Sequence, residues 1–430
     1  MKKSLYILVL ILLFMMANPD AIHADSSHIQ ICGETGILID ADTGDILYEK
    51  DAHKKMYPAS TTKIMTALLV LEACELDEIV TIDAETPFTE GSRIYLIEGE
   101  QITIKDLLYS LLLESANDSA VALAKHIAGT EEEFVRLMNE KAKELGAHDT
   151  NFVNPNGLPD ENHVSTAYDL SLMAQEAMKN EEFRRIVSYS KTYTIYPTEK
   201  QEARYFRTRN RLMWDTSASI YYDGKYIAPK FEGATGIKTG YTVAAGSCIV
   251  SSAKDNNREI IAVILKSNPN ELYADAHRLL NYGLLSFKNI EVVKKGEHIE
   301  NAEVINGKTK TIDIFAGESF VKTMDIDIAE DNIQKEISID KIFAPILKDE
   351  IVGKMIIKYE GEVIGETILL ALNDVEKKLI STVGDKIKAS PLGIILKVIM
   401  VLLVLYGVFI IKSNIRRKKR RLARRRRYGL

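Results

Sequence analysis

The stretch Tyr57-Pro-Ala-Ser-Thr-Thr-Lys-Ile-Met-Thr66 marks the point where this 430-residue chain changes from a strand pattern to a helix pattern. From Ser60 onward, apolar residues recur at the spacing of one helix face. The preceding residues 36–48 form two short apolar runs around an Asp-Thr-Gly turn, which predicts a β-hairpin. A hairpin that leads into a helix is the start of a fold that mixes helices with a sheet.

The pattern stays helical over a long block and then returns to strand. Helices are predicted at 104–113, 118–127, 131–145, 167–178 and 274–285, and strands at 246–253 and 259–266. Because strands stand at both ends of the helical block, we expect early and late strands to pair in one sheet. The sequence therefore predicts an α/β (α+β) domain over residues 25–287.

A second domain follows, with a different character. From about residue 290 the chain consists of short alternating segments rich in Ile, Val and Thr, at 310–315, 319–328, 354–359 and 365–371. This pattern predicts a small all-β domain over residues 290–373. Residues 374–390 place apolar residues at helical spacing among charged ones, which predicts an amphipathic juxtamembrane helix.

The N-terminus has the layout of a secretory signal peptide over residues 1–24. Two lysines precede a run of 13 uncharged residues, and small residues stand at a plausible cleavage site. An uncleaved membrane anchor is the alternative. It is weaker because 13 helical residues extend only about 20 Å, against a hydrocarbon core of roughly 30 Å.

The C-terminus predicts a single membrane span with a basic cytoplasmic tail. Residues 392–411 are apolar apart from Lys397, and the last 19 residues hold 11 Lys/Arg and no acid. Basic residues beside a span mark its cytoplasmic side, so the domains that precede the span are expected on the other side of the membrane. A nucleic-acid-binding tail is the other interpretation of these cations, and an export signal argues against it. The net charge of −6 becomes −17 once the tail is set apart, which excludes a general affinity for nucleic acid.

Neither the cysteines nor the histidines predict a metal site. The three cysteines, Cys32, Cys74 and Cys248, are widely spaced and are interpreted as buried small apolar residues. Histidines are scattered without ligand spacing, at 53, 126, 148, 163 and 277. We therefore expect neither a metal nor a cofactor.

Three short motifs carry the chemistry: Ser60-Thr-Thr-Lys63, Ser115-Ala-Asn117 and Lys238-Thr-Gly240. Each alone is a weak signal, since such tripeptides and tetrapeptides are common. Their order, their contexts and their spacings of 55 and 123 residues give them weight.

The first motif pairs a hydroxyl with an amine on a predicted helix. Residues at i and i+3 share a helix face with Cβ atoms about 5–6 Å apart, so Lys63 can approach the Ser60 hydroxyl. A desolvated lysine has a lowered pKa, and its neutral amine can act as a base. Serine is a weak nucleophile without such a base.

The other two motifs supply a relay and an anion receiver. Ser115 and Asn117 stand between two predicted helices, hence on a loop, where they can cap a helix or relay a proton and bind a substrate amide. Lys238, Thr239 and Gly240 stand at the front of a predicted edge strand, where a cation, a hydroxyl and a close backbone approach suit a carboxylate. Together the motifs predict acyl transfer on a substrate with a terminal carboxylate.

The sequence around these motifs resembles a known family. Residues 57–66, 114–120, 154–158 and 236–248 are similar to the serine-type D-alanyl-D-alanine carboxypeptidases, the low-molecular-weight penicillin-binding proteins. The resemblance covers about residues 30–390. Two departures, Arg209-Asn-Arg-Leu212 and a true span rather than an amphipathic anchor, are interpreted as lying outside the chemistry.

The resemblance implies a role for each motif residue. Ser60 would be acylated by the penultimate D-alanine of a peptidoglycan pentapeptide, with Lys63 as base, and Ser115 and Asn117 would assist. Lys238 and Thr239 would hold the terminal carboxylate, and Gly240 would let the substrate backbone approach closely. The backbone N–H groups of Ser60 and Tyr241 would form the oxyanion hole. Penicillins would acylate the same serine, and the role would be in cell-wall synthesis and cell shape.

Three alternatives share these motifs. A β-lactamase would need a glutamate that activates water, and Glu161 is the candidate, although nothing around it resembles that loop. A transpeptidase or endopeptidase would use the same residues on another acceptor or bond. A non-catalytic receptor would usually have lost the nucleophile or base, and both are present.

Overall fold

A computed structural model describes residues 29–255, 258–378 and 391–427. The chain forms two compact units. The first takes in the described residues up to Ile290 together with Val321–Glu330, and the second takes in Glu291–Phe320 and the described residues from Asp331 onward. The predicted signal peptide lies outside the described residues.

The helices and strands are numbered in chain order. The helices are α1 Lys63–Ala73, α2 Ile104–Tyr109, α3 Asn117–Ala128, α4 Glu131–Glu144, α5 Ala167–Lys179, α6 Glu181–Val187, α7 Leu272–Ser286 and α8 Pro391–Arg427. The strands are β1 Thr35–Asp40, β2 Ile46–Lys50, β3 Ile79–Thr81, β4 Gln101–Thr103, β5 Tyr193–Ile195, β6 Arg204–Phe206, β7 Ile220–Tyr222, β8 Lys225–Ile227, β9 Ala234–Thr242, β10 Gly246–Lys254, β11 Glu259–Ser267, β12 Phe287–Val293, β13 His298–Ile305, β14 Thr311–Ala316, β15 Phe320–Asp325, β16 Ile333–Ile339, β17 Ile342–Phe343, β18 Ile351–Tyr359 and β19 Glu362–Ala371.

The first unit is built on a five-stranded antiparallel sheet in the order β2-β1-β11-β10-β9. Ile37 of β1 lies opposite Val263 of β11, so the predicted pairing of early and late strands is confirmed. Successive β1 side chains point to opposite faces, and Ile37 packs with α1 and α5 whereas Leu38 packs with α7. Because both faces are covered, the strand is a continuous apolar run.

The predicted helices of the central block are confirmed as α2 to α5, and the late apolar helix as α7. Threonines cap three of them, because the hydroxyls of Thr103, Thr130 and Thr166 accept the backbone N–H three residues on. The helix predicted over 104–113 divides: α2 ends at Tyr109 and Ser110–Glu114 winds as a π-helix.

The described residues of the second unit that precede α8 confirm the all-β character predicted from residue 290, although Val321–Glu330, which lies inside the predicted domain, groups with the first unit. The six-stranded sheet of the second unit has the order β16-β18-β19-β14-β13-β17. The helix predicted from Asp374 is wrong for its first residues, because Val375 and Lys377 form antiparallel bridges to Ile346 and Gly307. Val375 is buried in this unit, and its backbone bonds Ile346 in both directions, which favours extended chain. Residues 379–390 of that prediction lie outside the described residues.

The helix α8 contains a segment, Ile395–Asn414, that is long and apolar enough to cross a membrane, with a mean hydropathy of 2.5. It coincides with most of the span predicted over 392–411. The helix continues to Arg427, through most of the basic tail predicted over 412–430. This single C-terminal apolar helix suggests membrane anchoring.

The cysteines correct one sequence interpretation. Cys248 is buried as expected, but Cys32 is exposed and Cys74 is only partly buried, and all three are free. Cys32 precedes β1 at the margin of the sheet. Cys74 is the C-cap of α1, where the chain leaves the core.

Candidate active site

The serine of the first motif lies on a tight turn rather than on a helix. Ala59–Thr62 forms a 3-10 turn and α1 begins only at Lys63, so the helix predicted from Ser60 starts three residues later. Ala59 has a φ of +49°, a left-handed conformation that costs free energy for a residue with a Cβ. Thr61, Thr62 and Lys63 are buried while Ser60 is half-buried, so the turn presents the serine to a cleft.

A buried histidine, His163, holds this turn in place. Its Nδ1 accepts the Val153 backbone N–H at 3.0 Å, so the proton lies on Nε2, which donates to Thr62 Oγ1 at 2.8 Å. Thr62 Oγ1 in turn donates to the Ala59 carbonyl at 2.8 Å. Burial lowers the pKa of His163 to about 4, so the ring is neutral at ordinary pH.

The loop that carries His163 also presses against the turn. Gly157 has a φ of +84°, and a Cβ there would overlap the Ala59 carbonyl. The neighbouring Asn156 supplies its carbonyl to Lys63. The loop therefore fixes both the strained residue before the serine and the lysine after it.

Lys63 lies where its spacing predicts, with Nζ 3.1 Å from Ser60 Oγ. The Lys63 side chain is fully buried, and its Nζ also lies 2.7 Å from Asn117 Oδ1 and contacts the Asn156 carbonyl. Burial lowers the pKa of Lys63 well below its usual value, and the cations Lys238 and Arg209 lower it further. A neutral amine has two N–H donors, which suit the two carbonyl oxygens, and one lone pair, which then faces the Ser60 hydroxyl.

The second motif lines the opposite side of the cleft. Ser115 ends the π-helix in a left-handed conformation with a φ of +68°, and its Oγ accepts from Lys238 Nζ at 3.0 Å. Asn117 is not on a loop as predicted, because it is the first residue of α3. Its amide donates to the Glu90 carbonyl at 2.7 Å, which turns Oδ1 toward Lys63.

The third motif lies on β9, which is an edge strand as predicted. It occupies the middle of this nine-residue strand rather than its front. Gly240 is required because a Cβ there would lie 2.9 Å from the Ser60 backbone nitrogen. Burial, followed by the charge of Arg209, lowers the pKa of Lys238 to about 7. The edge strand is thus packed directly beside the serine turn.

These elements enclose one cleft of about 520 Å³. Its lining includes the predicted residues Ser60, Ser115, Thr239, Gly240 and Tyr241, and it also includes Ser92, Arg209, Ser247, Pro269, Leu272 and Tyr273. Lys63, Asn117 and Lys238 are connected to this lining by the hydrogen bonds described above. The structure therefore brings all eight predicted site residues together.

Arg209 corrects the sequence interpretation, which placed residues 209–212 outside the chemistry. It lines the cleft, forms an ion pair with Glu114 and lowers the pKa of both buried lysines. Asn210 attaches the segment to β9, because its amide donates to the Gly236 carbonyl at 2.9 Å. Arg209 and Glu114 are separated by 95 residues in the sequence. Their contact could therefore not be predicted from local residue spacing.

Glu161, the candidate water-activating residue of a β-lactamase, is exposed on a turn of the loop that carries His163. The main chain of Asn156, and not this carboxylate, reaches the buried lysine. The two His/Cys/Asp/Glu groups in the described residues that could hold a metal ion include none of the eight predicted site residues.

A serine turn packed against a K-T-G edge strand, with helices on both faces of the sheet, is an arrangement whose motifs penicillin-binding proteins share with class A β-lactamases. A family model described as D-alanyl-D-alanine carboxypeptidase, of the peptidase S11 type, matches residues 21–268. A second model, described as penicillin-binding protein 5, C-terminal domain, matches residues 287–377. The chain therefore belongs to the D-alanyl-D-alanine carboxypeptidase family of penicillin-binding proteins, whose role is related to peptidoglycan.

Individual relatives match between 60% and 90% of this chain. D-alanyl-D-alanine carboxypeptidase DacF of Bacillus subtilis is 34% identical over 90% of this chain and 99% of its own. The crystal structure of penicillin binding protein 5 from Haemophilus influenzae matches 81% of this chain and 99% of its own, with a TM-score of 0.70 and 27% identity. The Streptomyces K15 DD-transpeptidase matches 60% of this chain and 98% of its own, with a TM-score of 0.53 and 31% identity.

Proposed function

We propose that this chain is a serine-type D-alanyl-D-alanine carboxypeptidase, which removes the terminal D-alanine of peptidoglycan pentapeptides through an acyl-enzyme on Ser60. The observation that carries the proposal is the position of Lys63 Nζ, between two carbonyl oxygens and the Ser60 hydroxyl. A buried amine with its two N–H groups already bonded can direct its lone pair only at the hydroxyl proton.

In the acylation step, Lys63 takes the Ser60 proton and Oγ attacks the carbonyl carbon of the penultimate D-alanine. The developing oxyanion accepts hydrogen bonds from the backbone N–H groups of Ser60 and Tyr241. These two residues lie on the serine turn and on β9, which can approach each other closely because residue 240 is glycine. Fixed donors of this kind stabilise the tetrahedral intermediate more than the ground state.

Expulsion of the terminal D-alanine requires a proton on its departing nitrogen. Ser115 is placed to donate it, because its hydroxyl bonds Lys238 Nζ at 3.0 Å and stands across the cleft from the serine turn. Lys63 then gives the proton that it took from Ser60 to the Ser115 oxygen, so Lys63 is neutral again, Ser115 is again a hydroxyl and Lys238 is unchanged throughout. A water molecule then attacks the ester, with Lys63 again as base, and releases the shortened peptide.

The terminal carboxylate binds at the positive side of the cleft. The Thr239 hydroxyl and the Lys238 ammonium form its primary receiver, and Arg209 adds a second positive charge at the rim. The parts of the chain that precede the basic tail sum to −17, so the carboxylate finds these cations at short range rather than through the field of the whole protein.

Penicillins mimic the D-alanyl-D-alanine end and acylate Ser60. Because Glu161 is exposed on its turn, the described cleft offers the ester no carboxylate of the β-lactamase kind. Opening of the β-lactam also leaves the departing nitrogen attached to the acyl group, whereas D-alanine leaves the cleft, so we expect the adduct to be long-lived and penicillins to act as covalent inhibitors.

We place the catalytic domain outside the cell membrane. The helix α8 carries the single span, and the 11 Lys/Arg after it hold the C-terminus in the cytoplasm. Residues 1–24 act as the export signal.

Transpeptidation is the second candidate function, favoured by the similarity to the Streptomyces K15 DD-transpeptidase. The acyl-enzyme is the same, and the two activities differ only in whether water or an amine accepts the acyl group. The residues of the cleft serve either acceptor.

The test uses the full-length chain in detergent and a synthetic peptide ending in D-alanyl-D-alanine. The parent should release D-alanine and gain the mass of one penicillin, whereas Ser60→Ala should do neither. The exposed Ser188 gives a matched control, and Ser188→Ala should behave as the parent. Release of D-alanine by Ser60→Ala at the parent rate would overturn the proposal, and an added amine that becomes the main acceptor would favour transpeptidation.

A further inference from the structure

Cys74, Glu78 and His126 form a cluster of three different metal-ligand types on the first unit. Their ligand atoms all lie within 4.8 Å of one another. Cys74 is the C-cap of α1, Glu78 immediately precedes β3, and His126 lies in the last turn of α3. The cysteine and the histidine are 52 positions apart, so the fold and not a sequence motif brings them together.

The distance between the imidazole and the carboxylate suits a shared cation. His126 Nε2 lies 3.4 Å from Glu78 Oε2. This separation is long for a charge-assisted hydrogen bond, which is usually about 2.7–2.9 Å. In a tetrahedral zinc site with bonds of about 2.0–2.2 Å, the nitrogen-to-oxygen edge is about 3.4 Å. The pair is thus already spaced as two zinc ligands.

A second cluster on the same unit shows what an unsuitable site looks like. Cys32, Glu271 and Asp275 also lie within 4.8 Å. There, Asp275 already accepts the backbone N–H groups of Cys32 and Gly33 and is paired with Arg278 at 2.8 Å. A guanidinium beside the carboxylates repels a metal ion. At the first cluster the neighbouring cation, Lys125, is instead paired with Asp83 and Glu85.

We propose that Cys74, Glu78 and His126 bind one Zn²⁺ ion, with water as the fourth ligand. A thiolate, an imidazole and a carboxylate together favour zinc over magnesium or calcium, which prefer oxygen ligands only. Glu78 and His126 are exposed and Cys74 is partly buried, so water can reach the fourth position.

The metal would join two helices that also carry catalytic residues. The first residue of α1 is Lys63 and the first residue of α3 is Asn117, and these two side chains bond at 2.7 Å. Cys74 and His126 lie at the other ends of the same helices, roughly 16 Å away along α1. Zinc would therefore tether the far ends of the helix pair whose near ends form the active site.

The test measures zinc bound to the reduced, full-length chain in detergent after removal of metals with a chelator. Dialysis against micromolar Zn²⁺ should leave one zinc per chain in the parent and none in Cys74→Ser or His126→Gln. Cys32→Ser removes a cysteine of the second cluster and should keep the zinc. With Co²⁺ as the probe, a thiolate-to-cobalt charge-transfer band should appear in the parent and be lost in Cys74→Ser.

Thermal unfolding supplies an independent readout. Zinc at 100 times its Kd should raise the Tm of the parent by about 5–10 °C, and that of Cys74→Ser by none. Circular dichroism shows whether each variant is folded. If Cys74→Ser or His126→Gln does not fold, Glu78→Gln is measured in its place. The proposal is overturned if the parent holds no zinc, or if Cys74→Ser and His126→Gln bind as much as the parent.

Discussion

The serine turn Ala59–Thr62, which leads into α1 at Lys63, and the edge strand β9 each place a buried lysine beside the cleft, but in different hydrogen-bonding surroundings. Lys63 faces two carbonyl oxygens and a hydroxyl, whereas Lys238 faces one carbonyl, that of Thr239, and the hydroxyl of Ser115. The charge of Lys238 further lowers the pKa of Lys63. This difference supports the tasks that we propose for two lysines at similar depth, a base for Lys63 and an anion receiver for Lys238.

The strongest test of this difference is Lys63→Gln. Because an amide cannot take the Ser60 proton, acylation by penicillin should fall by roughly 10³–10⁴-fold, the upper part of the range for a lost general base. The rate of adduct formation, followed by mass spectrometry, measures this. Lys191→Gln, at an exposed lysine, is the matched control and should leave the rate unchanged. A folded Lys63→Gln variant that acylates within tenfold of the parent would show that Lys63 is not the base.

Lys238→Gln tests the other half of the comparison. The loss of one charge-assisted hydrogen bond to the substrate carboxylate should lower kcat/KM by about 10–100-fold. A peptide ending in a carboxamide should lose much less, because it presents no charge. Equal losses for both peptides would contradict an anion-receiving role.

The pH dependence of binding follows from the same lysine. Its pKa of about 7 means that the free enzyme carries this charge below pH 7 and loses it above. The KM of the carboxylate peptide should therefore rise as the pH is raised through about 7, and in Lys238→Gln this rise should disappear.

The hydrogen bonds of His163 join the serine turn to the backbone of Val153 and do not involve β9, so its removal should affect one region and not the other. His163→Gln can keep a donor to Thr62 but cannot be protonated, whereas His163→Phe removes both hydrogen bonds. We expect acylation to fall about tenfold in His163→Phe and less in His163→Gln, because the serine turn is strained at Ala59. The carboxylate-to-carboxamide preference, which depends on β9, should stay as in the parent, and its loss would argue against a role confined to the turn.

The same histidine predicts an acid-sensitive stability. Its pKa is about 4 in the folded chain and 6.5 when unfolded, so the unfolded state binds more protons between these values. The stabilisation is complete above pH 6.5 and is lost as the pH falls toward 4, by roughly 3 kcal/mol in all. Urea unfolding at several pH values should show this loss in the parent and not in His163→Gln.

The sequence predicted those features of fold and site that depend on local spacing. The hairpin, the helical block and the returning strands follow from residue periodicity, and the contact between Ser60 and Lys63 follows from their separation of three residues. The joining of the three motifs was predicted from their chemistry, since a nucleophile needs both a base and an anion receiver.

The features that were missed depend on contacts between distant segments. His163 meets Thr62 across 101 residues and Asn156 meets Lys63 across 93. These contacts place the strain at Ala59 and delay the start of α1 to Lys63, which local propensity does not reveal. Arg209 was missed for the same reason, since only the folded chain brings it to the cleft rim.

Arg209 connects the two regions, and its removal gives the smallest expected effect. Its cation lowers the pKa of both lysines, so Arg209→Gln should raise both. Lys63 then becomes neutral only at higher pH, and the acid limb of the acylation profile should move to higher pH. Because Arg209 is half exposed and screened by solvent, the change in rate at neutral pH should be only a few-fold.

Arg209→Gln leaves Glu114 without its partner, so the matched control is the double variant Arg209→Gln with Glu114→Gln. The pH profile of acylation in this double variant should return toward that of the parent. A profile that does not move in Arg209→Gln would show that burial and Lys238 set the pKa of Lys63 without Arg209.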